Sequence, residues 1–181
     1  KSVVYDPKSK TFSNIDLNRN LFCSGHCFLP DGRLLISGGQ SMAQQLISAI
    51  LWLLGLLRGP DLDLHVFDPI TEEWTRLEDM QRERWYPTLT TLPDGRVLIV
   101  SGFASHVLDS ITRLLGIKFS AVNESYEIFD GTKDSVVERG EFWKDIALYP
   151  FVQVLPGGMM FVHSVTQTRF FDPTEKTWFL A

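Results

Sequence analysis

Two cysteines are the side chains of this sequence best suited to redox or metal chemistry. Cys23 and Cys27 stand four residues apart in what reads as one strand, where a rise of about 3.3 Å per residue would separate their Cα atoms by roughly 13 Å. That separation excludes a disulfide between them. A cysteine pair of this spacing without further Cys or His ligands is also a poor zinc site. The cysteines alone therefore leave the redox compartment open.

Cys23 and Tyr86 occupy equivalent places in the sequence, because each lies shortly before a Leu-Pro-Asp-Gly turn. A lone cysteine is usually a small buried hydrophobe, and Trp85 and Tyr86 could equally be packing aromatics. Alternate residues of a strand face opposite sides, so His26 is predicted to point away from Cys23. We therefore expect His26 to bond a neighbouring group rather than a metal.

The elements that position these residues repeat along the chain. Leu-Pro-Asp-Gly begins at Leu29 and at Leu92, and Leu-Pro-Gly-Gly begins at Leu155, in steps of 63 residues. Each copy is followed by an apolar run, an aromatic-Asp turn and a Trp. The order of hairpin, strand, turn and strand predicts one propeller blade per copy.

The blades have unequal lengths. The aromatic-Asp turns at Asp6, Asp68, Asp130 and Asp172 are separated by 62, 62 and 42 residues. Since the blades of kelch or WD-type propellers contain about 40 to 50 residues, two blades carry insertions of roughly 20 residues each. These insertions, 41–59 and 105–122, are predicted to be helical.

The insertions are expected to cover the face that holds Cys23 and Tyr86, because a hairpin returns to the face from which it started. A lid over that site is one interpretation. Alternatively, the uncharged run 42–57 dips into a membrane interface or docks a protein partner. A third interpretation is a structural pair of helices that pack on each other.

The predicted fold is an all-β, kelch-type β-propeller in partial form, a single domain that spans 1–181. It comprises a half blade (1–18), two blades (19–80 and 81–141) and an incomplete blade (142–181). Propellers close with about four to eight blades, so the sequence predicts about three blades of seven in a longer chain. The net charge of −5 without a basic stripe excludes nucleic acid as a partner.

These features resemble the galactose oxidase and glyoxal oxidase family of copper radical oxidases. The resemblance covers the chain apart from the insertions, and Cys23 with Tyr86 is its most specific part. The segment 148–151, Leu-Tyr-Pro-Phe, is similar to the glyoxal oxidase branch. The resemblance implies that Tyr86 is a copper ligand joined by a thioether to Cys23, with the radical on the modified phenol. It also implies that Trp85, Phe103 and Tyr149 line the substrate site.

The resemblance further implies oxidation of a primary alcohol or an aldehyde, with dioxygen reduced to hydrogen peroxide, at the cell surface or outside the cell. The family's remaining ligands, a Tyr-His pair and a second His, have no match in His65, His106 or His163. Copper should therefore not bind tightly to this chain alone, which is expected to be inactive.

Two departures from galactose oxidase bear on the substrate. Pro150 and Ala104 stand where that enzyme has an arginine that contacts the sugar and a stacking tryptophan, so galactose is disfavoured. An alternative function from another class is a non-catalytic kelch-type module that binds a protein or glycan. A membrane-associated version of that module would use its apolar insertion.

Overall fold

The computed structural model describes residues 2–17, 19, 21–39, 62–103 and 122–181. The described residues form β-strands and no helix, which confirms the prediction of an all-β fold. The strands are β1 (Ser2–Asp6), β2 (Thr11–Ile15), β3 (Gly25–Phe28), β4 (Leu34–Ser37), β5 (Leu64–Asp68), β6 (Glu73–Arg76), β7 (Thr88–Thr91), β8 (Val97–Val100), β9 (Ser125–Asp130), β10 (Ser135–Glu141), β11 (Phe151–Val154), β12 (Met160–Ser164), β13 (Gln167–Asp172) and β14 (Thr177–Leu180).

The predicted helical insertions and the apolar run 42–57 lie outside the described residues, except for Val122 at the edge of the second insertion. Within the described ranges, no helix is long and apolar enough to cross a membrane.

The strands form four antiparallel sheets in which each strand pairs with its neighbour in sequence. A two-stranded sheet holds β1 and β2. Three four-stranded sheets follow, in the orders β3-β4-β5-β6, β7-β8-β9-β10 and β11-β12-β13-β14. Each four-stranded sheet is therefore a meander whose first strand lies at one edge.

Both predicted turn motifs are present. In the first Leu-Pro-Asp-Gly turn, the Gly32 N–H donates to the Leu29 carbonyl at 3.0 Å, and Gly32 has a φ of 89°. Glycine adopts this left-handed conformation without a Cβ clash. In all four aromatic-Asp turns, the aspartate carboxylate accepts the backbone N–H two residues ahead at 2.8 or 2.9 Å. Local side-chain chemistry thus accounts for both turns.

The hydrophobic core lies between successive sheets. Strand β8 is buried on both faces, so Val97 and Ile99 pack toward the sheet of β3 to β6, while Leu98 and Val100 pack toward the sheet of β11 to β14. A strand covered on both faces reads as an unbroken apolar run, which explains its sequence.

The first strands of the three sheets lie side by side. The Thr91 hydroxyl of β7 donates to the Phe28 carbonyl of β3 at 2.8 Å, and the Thr88 hydroxyl donates to the Pro150 carbonyl beside β11, also at 2.8 Å. The chain therefore brings the segments that precede β3, β7 and β11 to one end of the sheets.

Gly38 shows how closely those segments pack. A Cβ at Gly38 would lie 2.0 Å from the Arg84 carbonyl oxygen, whereas a Cβ at Gly32 would meet nothing within 4 Å. Both glycines have a left-handed φ. An alanine at either position would therefore pay the same cost for a left-handed backbone, and only the alanine at position 38 would also clash with Arg84.

We expect Gly38→Ala to lower the free energy of unfolding far more than Gly32→Ala. The Gly32 variant should cost about 1–2 kcal/mol from the left-handed backbone alone. The Gly38 variant should cost roughly 2 kcal/mol more, because the Arg84 backbone must move. Urea denaturation of both variants measures the difference, and equal losses would contradict the close approach.

Candidate functional site

Cys23, Tyr86 and Tyr149 stand at the same position of the three four-stranded sheets, two residues before β3, β7 and β11. They are spaced 63 residues apart, as the turns are. The prediction that Cys23 shares a strand with Cys27 is wrong, because Cys23 lies in the turn before β3. Both cysteines are free thiols.

The three residues share an uncommon backbone conformation. Their φ angles are 59°, 64° and 47°, in the left-handed region. The Tyr86 N–H donates to the Cys23 carbonyl at 2.9 Å, and the Tyr149 N–H donates to the Tyr86 carbonyl at 3.2 Å. Such strain costs on the order of 1–3 kcal/mol per residue and concentrates at functional sites. These hydrogen bonds hold the three residues next to one another.

The side chains of the three residues meet. The rings of Tyr86 and Tyr149 lie edge to face, with centroids 4.8 Å apart. The Cys23 thiol hydrogen-bonds the Tyr86 phenol, and this contact is the main reason that the pKa of Tyr86 is raised above its ordinary value. The pKa of Tyr149 is also raised, first by burial and then by Cys23.

Trp85 and Phe103 complete the aromatic surroundings of Tyr86. The Trp85 and Tyr86 ring centroids are 4.2 Å apart. Trp85 and Phe103 exchange backbone hydrogen bonds of 3.1 and 2.6 Å, and their rings lie edge to face at 6.4 Å. The structure therefore brings together the five residues singled out by sequence. Ala104 lies outside the described residues.

Arg84 holds the segment that carries Trp85 and Tyr86. Its side chain is fully buried and pairs with the buried carboxylate of Glu127 at 3.2 Å. It also donates to the carbonyls of Ser101 and Ser125 at 2.7 and 3.1 Å. Burial lowers the pKa of Arg84, and the Glu127 charge opposes that shift. The Arg84 guanidinium therefore holds in place the segment that leads into Trp85 and Tyr86.

Two further groups tighten the packing around Arg84. The Gly39 N–H donates to the Arg84 carbonyl at 2.9 Å. A Cβ at Gly102 would lie 2.8 Å from the Arg84 Cβ. Sequence reasoning missed this support, although a lone glutamate within the apolar strand β9 was a signal for a buried partner.

The histidines lie elsewhere. His26 is exposed in β3, whereas its neighbours Gly25 and Cys27 are buried and partly buried, so His26 lies on the opposite face of the strand from them. His65 is buried in β5, and His163 in β12 hydrogen-bonds Thr168 at 2.8 Å. His106 falls outside the described residues. In the part of the chain that the structure describes, no three His, Cys, Asp or Glu side chains are grouped to hold a metal ion.

Comparison with known proteins identifies the class. Residues 1–179 match the family described as glyoxal oxidase N-terminus, and the chain belongs to that family. It is 29% identical over 181 residues to an aldehyde oxidase GLOX from Vitis pseudoreticulata, covering 96% of this chain and 28% of the relative. It is 25% identical over 175 residues to a WSC domain-containing protein from Arthroderma benhamiae, covering 91% and 16%. The chain thus spans less than a third of either relative, and the predicted family resemblance is confirmed.

Removing the charge of Glu127 should destabilise the fold strongly. Glu127→Gln leaves the buried Arg84 guanidinium without a counter-charge, so we expect a loss of about 3 kcal/mol or more. Glu138→Gln is the matched control, since Glu138 pairs with the half-exposed Lys176 at 2.8 Å. That change should cost less than about 1 kcal/mol. Similar losses in urea denaturation would show that the Arg84 pair is not critical.

The partly buried Cys27 thiol should make stability fall at alkaline pH. Burial raises its pKa from 9.0 to about 11. Between these values the unfolded thiol has lost its proton while the folded thiol keeps it, so stability decreases as pH rises. The loss should reach about 2 kcal/mol by pH 11. Cys27→Ala should abolish this component, and an unchanged pH profile in that variant would contradict the assignment.

Proposed function

We propose that the whole protein carrying this chain is a copper radical oxidase that oxidises an aldehyde or a primary alcohol with dioxygen and releases hydrogen peroxide. The observation that carries the proposal is the contact between the Cys23 thiol and the Tyr86 phenol in a member of the glyoxal oxidase family. Both residues have a left-handed φ just before neighbouring strands, and the Tyr86 N–H donates to the Cys23 carbonyl at 2.9 Å.

The residues present fit one side of a copper site. Tyr86 offers a phenol oxygen, and a nearby cation would oppose the rise in its pKa and favour the phenolate. One phenol oxygen does not hold a transition metal tightly, so we expect the further ligands to come from residues beyond the described ones. When bound, copper supplies one-electron redox chemistry.

The proposed modification joins Cys23 to Tyr86. The S–H bond of Cys23 and one ortho C–H bond of the Tyr86 ring break, and a carbon–sulfur bond forms. The two electrons and two protons released reduce dioxygen to hydrogen peroxide. The ring sulfur lowers the potential of the phenol, so Tyr86 can give up one electron. Substrate oxidation needs two electrons, of which the modified Tyr86 accepts one.

The aromatic surroundings favour a small substrate. Trp85, Phe103 and Tyr149 offer ring surfaces beside Tyr86. Pro150 is buried, and its carbonyl accepts the Thr88 hydroxyl, so this position offers no cation to a sugar. We infer that small aldehydes fit better than galactose.

We further infer a propeller in which each four-stranded sheet is one blade, within 19–80, 81–141 and 142–181. The side-by-side contacts of β7 with β3 and β11 support this arrangement, as do the cores between successive sheets. Closure needs about four or more blades, so we expect further blades in the whole protein. A place at the cell surface or outside the cell is inferred from the family.

The thioether gives a direct test. The whole protein, loaded with copper, should yield a peptide in which Cys23 is joined to Tyr86 with two hydrogen atoms fewer. Cys23→Ala and Tyr86→Phe should abolish this peptide. They should also lower peroxide formation from an aldehyde by at least about a hundredfold, as expected for residues in the covalent chemistry. Peptide mass spectrometry and a peroxide assay measure both.

Cys27→Ala is the matched control, because it removes the other thiol from the same segment. This variant should keep both the cross-link and the activity. Copper-loaded protein without the cross-linked peptide, or undiminished peroxide formation in Cys23→Ala, would overturn the proposal and favour a non-catalytic binding module.

A further inference from the structure

Tyr149 contacts Tyr86 and Ser24, the residue that follows Cys23. Its N–H donates to the Tyr86 carbonyl at 3.2 Å, and its ring lies edge to face against the Tyr86 ring at 4.8 Å. Its hydroxyl donates to the Ser24 carbonyl at 3.2 Å, across 125 residues of sequence. Ser24 directly follows Cys23. One residue therefore bridges the segments before β3, β7 and β11.

Each contact restrains a different motion. The edge-to-face contact limits rotation of the Tyr86 ring. The hydrogen bond to Ser24 holds the turn that carries Cys23, in which the Ser24 N–H donates to the Leu21 carbonyl at 3.1 Å. Both contacts therefore act on the segments that carry the thiol and the ring.

Tyr149 is itself well anchored. It has a left-handed φ of 47° and is followed by the buried Pro150, whose carbonyl accepts the Thr88 hydroxyl at 2.8 Å. Proline also fixes its own φ, which stiffens the segment. The Tyr149 backbone is therefore fixed, and its half-exposed side chain is held by its contacts with Tyr86 and Ser24.

We propose that Tyr149 is a positioning residue that holds the Cys23 turn and the Tyr86 ring in the relative geometry required for their cross-link. The role differs from substrate contact, because it operates before any substrate binds. Its consequence for the cross-link rests on the proposed function, whereas the restraint on Cys23 does not.

Two variants test whether Tyr149 positions Cys23 and Tyr86 or whether its ring only shields them from solvent. Tyr149→Phe keeps the ring and removes only the hydroxyl that bonds Ser24. Tyr149→Leu removes the aromatic contact as well. Tyr126→Phe is the control, because it deletes a buried phenol hydroxyl that donates to Glu138 at 2.7 Å, away from Cys23.

The first measurement is the alkylation rate of Cys23 in the whole protein prepared without copper, followed by peptide mass spectrometry. Loss of one hydrogen bond shifts a local equilibrium by roughly two- to tenfold. Tyr149→Phe should raise the Cys23 rate by such a factor although the ring still covers the site. Tyr126→Phe should leave the rate unchanged even if it lowers the melting temperature.

The second measurement is the rate of cross-link formation after copper is added. It should fall in Tyr149→Phe, fall further in Tyr149→Leu and stay unchanged in Tyr126→Phe. If the unsubstituted protein forms no cross-link, the proposed function fails, and the alkylation rates still decide whether Tyr149 restrains Cys23. Unchanged alkylation and cross-linking in Tyr149→Phe and Tyr149→Leu, or a change in the Michaelis constant alone, would overturn the positioning role.

Discussion

The site depends on a buried charge. Arg84 is fully buried, and Glu127 supplies its counter-charge together with carbonyl acceptors from the same sheet. A buried guanidinium is tolerated only where these partners are in place, so the segment before β7 has a single favourable position. Gly38 and Gly102 leave room for it, because a side chain at either position would strike Arg84. Tyr86 lies two residues after Arg84 in this segment, so the placement of Arg84 also places Tyr86.

The sequence repeat places three equivalent residues next to one another, and together they form the site. A left-handed residue precedes the first strand of each four-stranded sheet, and backbone hydrogen bonds connect these residues from sheet to sheet. The left-handed φ is common to all three copies, whereas the side chains are a thiol and two phenols. The chemistry of the site therefore comes from side-chain choice at equivalent positions, and the strain of the left-handed turns is borne by the surrounding sheets.

The sequence predicted what is local and what the repeat makes equivalent. Asp-Gly and aromatic-Asp turns depend on neighbouring residues, and matching positions before the Leu-Pro-Asp-Gly turns brought Cys23 and Tyr86 together in the prediction. The sequence could not place Cys23 in a turn. The alternating pattern of Gly25, His26 and Cys27 extends back to Cys23, and no residue between them marks the start of the strand. Nor could local pattern reveal the pair of Arg84 and Glu127, which are 43 residues apart and meet only through tertiary structure.

The contrast between the two cysteines shows how position alone selects chemistry. Cys27 lies within β3, where burial raises the pKa of its thiol to about 11 and keeps it protonated and unreactive. Cys23, four residues earlier, lies beyond the end of that strand and faces the Tyr86 phenol instead of the core. The same residue type thus serves as a small hydrophobe in one place and as the neighbour of a phenol in the other. The boundary between strand and turn at Gly25 separates these roles, because it decides which thiol reaches the phenol.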